Sequence, residues 1–146
     1  MIFADASFLV ALFVAHDDHW RTAWKWWQHR KGPVLTVTRL CLFEVENTIR
    51  GLTVSKLLRT VELRTALEGI KRGVLEGFIS RRTAPEHQLP PLADRLSQHH
   101  TMRTTFGAMD ILHVAAALHL RAKAFLSFDQ RQRELAAAEG LEVLPV

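Results

Sequence analysis

The chain has 146 residues, enough for one domain with a substantial core and too few for two. Hydrophobic residues make up 48% and charged residues 23%, which excludes an intrinsically disordered chain; the one cysteine, Cys41, excludes an internal disulfide and a thiolate metal cage. The net charge of +4 leans towards a polyanionic partner, but the basic residues (Lys71-Arg72, Arg81-Arg82, Arg121, Lys123, Arg131, Arg133) are spread out, as on an ordinary solvated surface. Nothing resembles a signal peptide, since Asp5 interrupts an apolar opening that has no basic start. No run approaches the roughly 20 apolar residues of a membrane span, so a reducing cytoplasm without a membrane partner is the expected setting.

In chain order, Met1–Ala4 is predicted to form a short buried strand and Ser7–Ala15 an apolar helix. Asp17–Arg30 reads as an amphipathic helix with Trp20, Trp24 and Trp27 on one face. Pro33–Thr36 is a second strand, and Thr38 is placed to cap a helix running to Arg50, where Gly51 breaks the pattern. Ser55 is placed to cap a long helix to Glu76, with an apolar stripe of Leu63, Leu67, Ile70 and Val74. Phe78–Thr83 reads as a strand, Pro85–Pro91 as a loop, Leu92–Arg103 as a polar helix and Met109–Leu120 as an Ala-rich apolar helix. A strand Ala124–Phe128, a helix Gln130–Glu139 stopped by Gly140, and a strand Leu141–Leu144 complete the series. Short apolar strands alternating with helices predict an α/β fold, a mostly parallel sheet covered on both faces and built as one domain over residues 1–146.

Most of the fifteen acidic residues have ordinary explanations. Asp17, Asp18, Glu62, Glu68, Glu76, Glu86, Asp94, Glu134, Glu139 and Glu142 lie in polar or amphipathic surroundings, and Glu46 can pair with Arg50. Three acids differ. Asp5 is the lone charge of the first fifteen residues, Asp110 the lone Asp, Glu, Lys or Arg between Arg103 and Arg121, and Asp129 directly follows Phe125-Leu-Ser-Phe. A carboxylate in such company is costly unless it is hydrogen-bonded, paired or bound to a metal. Each alone is read first as a helix cap. Asp5 and Asp129, however, both close predicted strands, and the carboxyl edge of a parallel sheet is where such sheets bind ligands. Glu44 sits mid-helix, off the buried stripe of Leu42, Val45 and Ile49, with Asn47 and Thr48 one turn on; a surface glutamate and a site residue are both open readings.

Four carboxylates within about 5 Å would repel by roughly 3 kcal/mol per pair at an effective dielectric of about 20. Such a cluster needs raised pKa values or a bound cation. Carboxylate oxygens without His or Cys partners select hard ions, which makes Mg²⁺ or Mn²⁺ the expected occupant. Ions held in this way polarise a phosphodiester and activate water, so the chemistry requires no protein nucleophile.

Four segments, in order, resemble the PIN-domain ribonucleases, and most of all the toxins of VapBC-type toxin–antitoxin pairs. They are Phe3-Ala-Asp5-Ala-Ser7, the Glu44-Val-Glu-Asn47 helix, Gly107-Ala-Met-Asp110 with the apolar helix after it, and Phe125-Leu-Ser127-Phe-Asp129. The resemblance implies a three-layer α/β/α domain with four to five short, mostly parallel strands. It also implies a Mg²⁺ or Mn²⁺ site on Asp5, Glu44, Asp110 and Asp129, with Ser7 and Ser127 orienting a carboxylate or a water. The implied activity is endonucleolytic hydrolysis of RNA leaving a 3′-hydroxyl and a 5′-phosphate, restrained by a cognate antitoxin, in a homodimer. Two departures stand out: Asp110 has no second acid beside it, so one or two metal ions remain open, and the stretch from Gly51 to Phe106 carries no motif of the family.

Other features weigh against rivals. His113, one turn after Asp110 and followed by apolar residues, reads as a packed or hydrogen-bonded histidine before it reads as a ligand or base. His99-His100 reads as surface, and Cys41 in its apolar run offers no nucleophile. The tryptophan face packs a core by default; left exposed it would stack RNA bases or cover a partner. The alternative functions are a non-catalytic RNA- or protein-binding module on the same fold and a phosphohydrolase with a strand-end aspartate. The latter usually carries Asp-x-Asp where this chain has Asp5-Ala-Ser7.

Overall fold

The computed structural model describes residues 1–85, 87–102 and 104–146. Glu86, read above as a solvated acid, and Arg103, read as the end of a polar helix, lie outside them. Five three-residue strands, β1 (Ile2–Ala4), β2 (Leu35–Val37), β3 (Ile79–Arg81), β4 (Ala124–Leu126) and β5 (Glu142–Leu144), form an all-parallel sheet in the order β3-β2-β1-β4-β5. The helices are α1 (Ala6–Phe13), α2 (Trp20–His29), α3 (Arg39–Val54), α4 (Thr60–Glu76), α5 (Leu89–Leu96), α6 (Ala108–His119) and α7 (Gln130–Ala138), with a π-helical turn Ser97–Thr101 after α5. The expected three-layer α/β/α arrangement is thus present, with five parallel strands at its centre.

Alternation along each strand divides the core in two. Ala4, Leu35, Val37, Ala124 and Leu126 pack beneath α1 to α4. Phe3 and Phe125, adjacent across the β1–β4 pair and stacked with centroids 5.7 Å apart, pack beneath α5 to α7. Small residues let helices lie close to the sheet, Ala6 and Ala11 in α1 and Ala115, Ala116 and Ala117 in α6, all buried. Gly73 serves the same end, since a Cβ there would sit 2.7 Å from both Ile79 and Phe78.

Thr38 caps α3 as expected, its hydroxyl accepting from the Cys41 amide at 3.2 Å. Several boundaries differ from the sequence reading, three of them in the middle of the chain. The helix α3 continues through Gly51 to Val54, because burying Leu52 against the core outweighs the roughly 1 kcal/mol a helical glycine costs. Ser55 ends α3 instead of starting α4; Lys56 follows with φ +59°, and α4 begins at Thr60, where Glu62 accepts from the Arg59 amide at 2.8 Å. Pro90 and Pro91 belong to the first turn of α5, where a missing amide proton is harmless, so that helix opens inside the expected loop.

The tryptophan face is largely occupied. Trp20, Trp24 and Trp27 form a ladder with successive centroids 6.4 and 5.7 Å apart that closes on Phe78 at 5.5 Å, and Trp27 packs against the core. Trp24 alone of the three counts as exposed, at 37%. No helix among the described residues is long and apolar enough to cross a membrane.

Candidate active site

Strand order reverses at β1: β2 and β3 lie to one side, β4 and β5 to the other. The carboxyl ends of β1 and β4 therefore meet at a switch point, the place where an open parallel sheet forms a crevice. The amide of Asp5 donates to the Leu126 carbonyl at 3.0 Å and continues the β1–β4 ladder to its last rung. Beyond that rung the two strands give way to α1 and, through Ser127–Asp129, to α7.

Asp5 is fully buried at this junction. Its oxygens accept from the Ser7 hydroxyl at 2.9 Å, the Ser127 hydroxyl at 2.8 Å and the Phe8 amide at 2.9 Å, the last being the N-cap bond of α1. Ser7 Oγ in turn accepts from the amides of Phe128 and Asp129, at 2.8 and 3.2 Å. Ser127 Oγ accepts from the Asp129 amide at 2.9 Å. The two serines thus tie the first motif to the last. Burial pushes the Asp5 carboxyl up to about 6, against the pull of the Phe8 amide, the two hydroxyls and the imidazole of His113. All its partners in direct hydrogen-bond contact are neutral donors.

Above this nest lies a cavity of about 380 Å³ lined by Glu44 and Thr48 of α3, Asp110 of α6, Asp129 and Gln132, and, from the α1–α2 side, Ser7, Asp17 and His19. Asp129 caps α7 through Oδ1, which accepts from the Gln132 amide at 3.0 Å, while Oδ2 takes no hydrogen bond from the described residues. Asp110, in the first turn of α6, accepts from the Gly107 amide at 2.9 Å and from the Gln132 side-chain amide at 3.2 Å. Glu44 Oε2 is hydrogen-bonded to Nε2 of His113. Capping and convergence therefore coexist for Asp5, Asp110 and Asp129, each of which accepts a backbone amide at the start of its helix.

Glu44, Asp110 and Asp129 share the cavity; Asp5 does not line it and lies beneath Ser7. In this arrangement no three His, Cys, Asp or Glu side chains among the described residues stand close enough to enclose a metal ion. The donor chemistry nevertheless suits a hard cation. Carboxylate oxygens from three elements line the cavity and, among the described residues, two of the three acids keep an oxygen without a protein partner and no lysine or arginine lines the wall. A larger hollow of about 800 Å³, between the start of α3, the segment after β3 and α5–α6, is lined by Arg39, Arg81, Arg82, Thr38, Thr83 and apolar residues; among the described residues no carboxylate lines it, and none of its lining residues is shared with the acid-lined cavity.

Three residues of the wall went unread in the sequence. Gln132 is buried and joins Asp129 to Asp110. Its position at the third residue of a capped helix was the available signal. Asp17, read as solvated, is half-buried on the cavity and accepts from the His19 amide at 2.8 Å. The His19 ring stacks on Phe128 with centroids 4.3 Å apart, a contact between loops that no local pattern announces. Thr48 joins Glu44 on the wall, whereas Asn47 is exposed and not part of it. Cys41 is buried against the Ala4 carbonyl, and burial together with the charges of Asp5 and Glu44 pushes its thiol up, so it offers no thiolate.

Fold and site define an α/β protein with an acid-lined cavity at the switch point of a parallel sheet. The PIN domain model matches residues 2–138, and the chain belongs to the PIN domain family. No curated protein matches the chain. Among solved structures, VapC20 of Mycobacterium tuberculosis, described as a sarcin-ricin loop cleaving toxin, is similar at 23% identity and TM-score 0.70, with 99% of this chain and 100% of that one covered. FitAcB of Neisseria gonorrhoeae is similar at 14% identity and TM-score 0.66, with 99% and 97% covered. VapBC2 of Rickettsia felis, solved with a DNA fragment from its promoter, gives 12% identity and TM-score 0.65, with 99% and 98% covered. At these identities the likeness is one of fold.

Proposed function

We propose that the chain is a metal-dependent endoribonuclease, the toxin of a toxin–antitoxin pair. The observation that carries this reading is the meeting of Glu44, Asp110 and Asp129, from three separate elements, on one cavity directly above an Asp5 whose hydrogen-bond donors among the described residues are two hydroxyls and a backbone amide. Glu44, Asp110 and Asp129 would hold a Mg²⁺ or Mn²⁺ ion, with Asp5 supplying negative charge from below. The ion supplies Lewis-acid polarisation of a phosphodiester and a water of lowered pKa. The residues of the chain do the remaining work. Ser7 and Ser127 fix Asp5, Gln132 fixes Asp110 and Asp129 relative to each other, and His113 fixes Glu44. RNA as substrate, a cognate antitoxin and assembly as a homodimer follow from the family resemblance, supported by a VapC-type toxin among the similar folds.

The test is cleavage of a structured RNA by the purified protein with and without metal. Cleavage is expected with Mn²⁺ or Mg²⁺ and not in EDTA, and Asp129→Asn is expected to lower the rate by roughly 100-fold or more, the scale of several kcal/mol of charge stabilisation. Undiminished cleavage in EDTA, or a fully active Asp129→Asn protein, would overturn the assignment. A second reading, a binding module without catalysis, is favoured by the spacing of the acids, which enclose no ion as they stand among the described residues. RNA bound tightly and left intact under every metal would establish it. For the phosphohydrolase reading, Asp5 is an unsuitable nucleophile, fully buried with both oxygens engaged.

A further inference from the structure

We propose that His113 is a positioning residue that sets the orientation of Glu44 and thereby the metal affinity of the site; the inference rests on the metal reading above. His113 is fully buried on α6, three residues after Asp110, and its Nε2 meets Glu44 Oε2 across 69 residues of chain. Its neighbours on the helix, Ile111, Val114 and Ala115, are buried core residues, and a leucine in its place would fill the space without the cost of burying an imidazole. Nδ1 is buried and has no partner among the described residues. A stranded acceptor costs less than a stranded N–H, so the proton belongs on Nε2, and His113 donates to the carboxylate.

Glu44 needs such a restraint. It projects from the middle of α3, its side chain is 30% exposed, and no lysine or arginine among the described residues pairs with it. The long side chain has several rotamers, and among the described residues the hydrogen bond from His113 is the one that selects among them. Holding Oε2 leaves Oε1 without a partner among the described residues, on a side chain that lines the cavity. Hydrogen bonds to the far side of a metal-binding carboxylate are worth about 10–100-fold in metal affinity. His113 also ties α6, which carries Asp110, to α3, which carries Glu44, so one contact sets the spacing of two acids.

The experiment compares wild type with His113→Gln and His113→Asn, reading Mn²⁺ binding by electron paramagnetic resonance, thermal unfolding in EDTA, and RNA cleavage. A glutamine amide reaches the place of Nε2 and an asparagine amide only that of Nδ1, so Gln keeps the donor to Glu44 and Asn loses it. Asn should weaken Mn²⁺ binding about 10–100-fold and lower kcat with little change in KM for RNA, while Gln restores most of both. A purely structural role predicts the opposite pattern, in which both variants lower the melting temperature and neither alters Mn²⁺ affinity in the folded protein; that result overturns the inference. Wild-type protein that binds no Mn²⁺ overturns the metal reading and this inference together. Wild-type binding left unchanged in the Asn variant overturns the inference alone.

Discussion

Asp5 and Glu139 are both acids withdrawn from water, and the fold treats them in opposite ways. Glu139, at the end of α7 with a side chain 13% exposed, meets Arg95 at 2.8 Å and His100 at 2.7 Å. Burial alone would raise its carboxyl, but the hydrogen bonds and charges of His100 and Arg95 hold it below the usual range. Asp5 is more deeply buried, yet is hydrogen-bonded only by two hydroxyls and one amide, and its carboxyl rises to about 6. Where a carboxylate is structural, the chain brings cations to it. In the function proposed above, Asp5 serves a bound cation: the chain brings it donors that orient it without neutralising it, and the missing charge is left for the ion. The second arrangement costs stability in the free protein.

The strongest way to break this contrast is Asp5→Asn, read by urea unfolding in EDTA between about pH 4 and 8. Raising a carboxyl from 3.8 to about 6 on folding means that the folded state holds the proton more tightly, at 1.36 kcal/mol per unit. Stability of the wild type should therefore fall as pH rises from about 4 to about 6, then level off. The asparagine variant lacks that slope. It should be more stable than wild type by up to about 3 kcal/mol at pH 7, with the gain vanishing near pH 4, while losing cleavage. A destabilised Asp5→Asn protein at pH 7 would mean that the carboxylate is a structural anchor and that the comparison with Glu139 fails.

The mirror experiment is Glu139→Gln. A carboxyl held low in the folded state contributes stability above its unfolded value, near 4.5, and that contribution is lost as pH falls through the folded one. The glutamine variant should lose about 1–2 kcal/mol at pH 7, between the small worth of an exposed pair and the several kcal/mol of a fully buried one. The deficit should shrink on acidification, and RNA cleavage should be unaffected. The two variants thus slope in opposite directions with pH, and parallel slopes would undo the distinction between a structural and a functional acid.

Sequence patterns reached unequal parts of this picture. The five strands and the placing of Asp5 and Asp129 at strand ends were legible because short apolar runs and the acids that close them are local signals. Asp110 was legible for the same reason, as a lone charge opening an apolar helix. Glu44 depended on family resemblance, since a mid-helix glutamate beside Asn47 and Thr48 has no local mark that separates site from surface. The partner that holds it, His113, lies 69 residues away, and a contact of that range has no periodicity to betray it. The same holds for the pairing of Glu139 with Arg95 and His100 and for His19 on Phe128, which arise only once the helices are packed. The depth of Asp5 was also out of reach. Sequence showed an acid among apolar residues, but not that Ser7 and Ser127 would close over it.

The smallest expected effect sharpens the comparison most finely. Arg95 is 54% exposed, so water and salt share its charge, and a single pair of that kind is worth less than about 1 kcal/mol. His100, at 13% exposure, remains bonded to Glu139 when Arg95 is replaced. Arg95→Met should therefore cost less than about 1 kcal/mol, less than Glu139→Gln, and the cost should fade as salt is raised to about 1 M, where the Debye length is roughly 3 Å. If Arg95→Met instead matched Glu139→Gln in full and resisted salt, one exposed guanidinium would be carrying the whole stabilisation of Glu139. A neutral donor set could then not be read as the mark of a ligand site, because a single rim cation would be enough to separate Glu139 from Asp5.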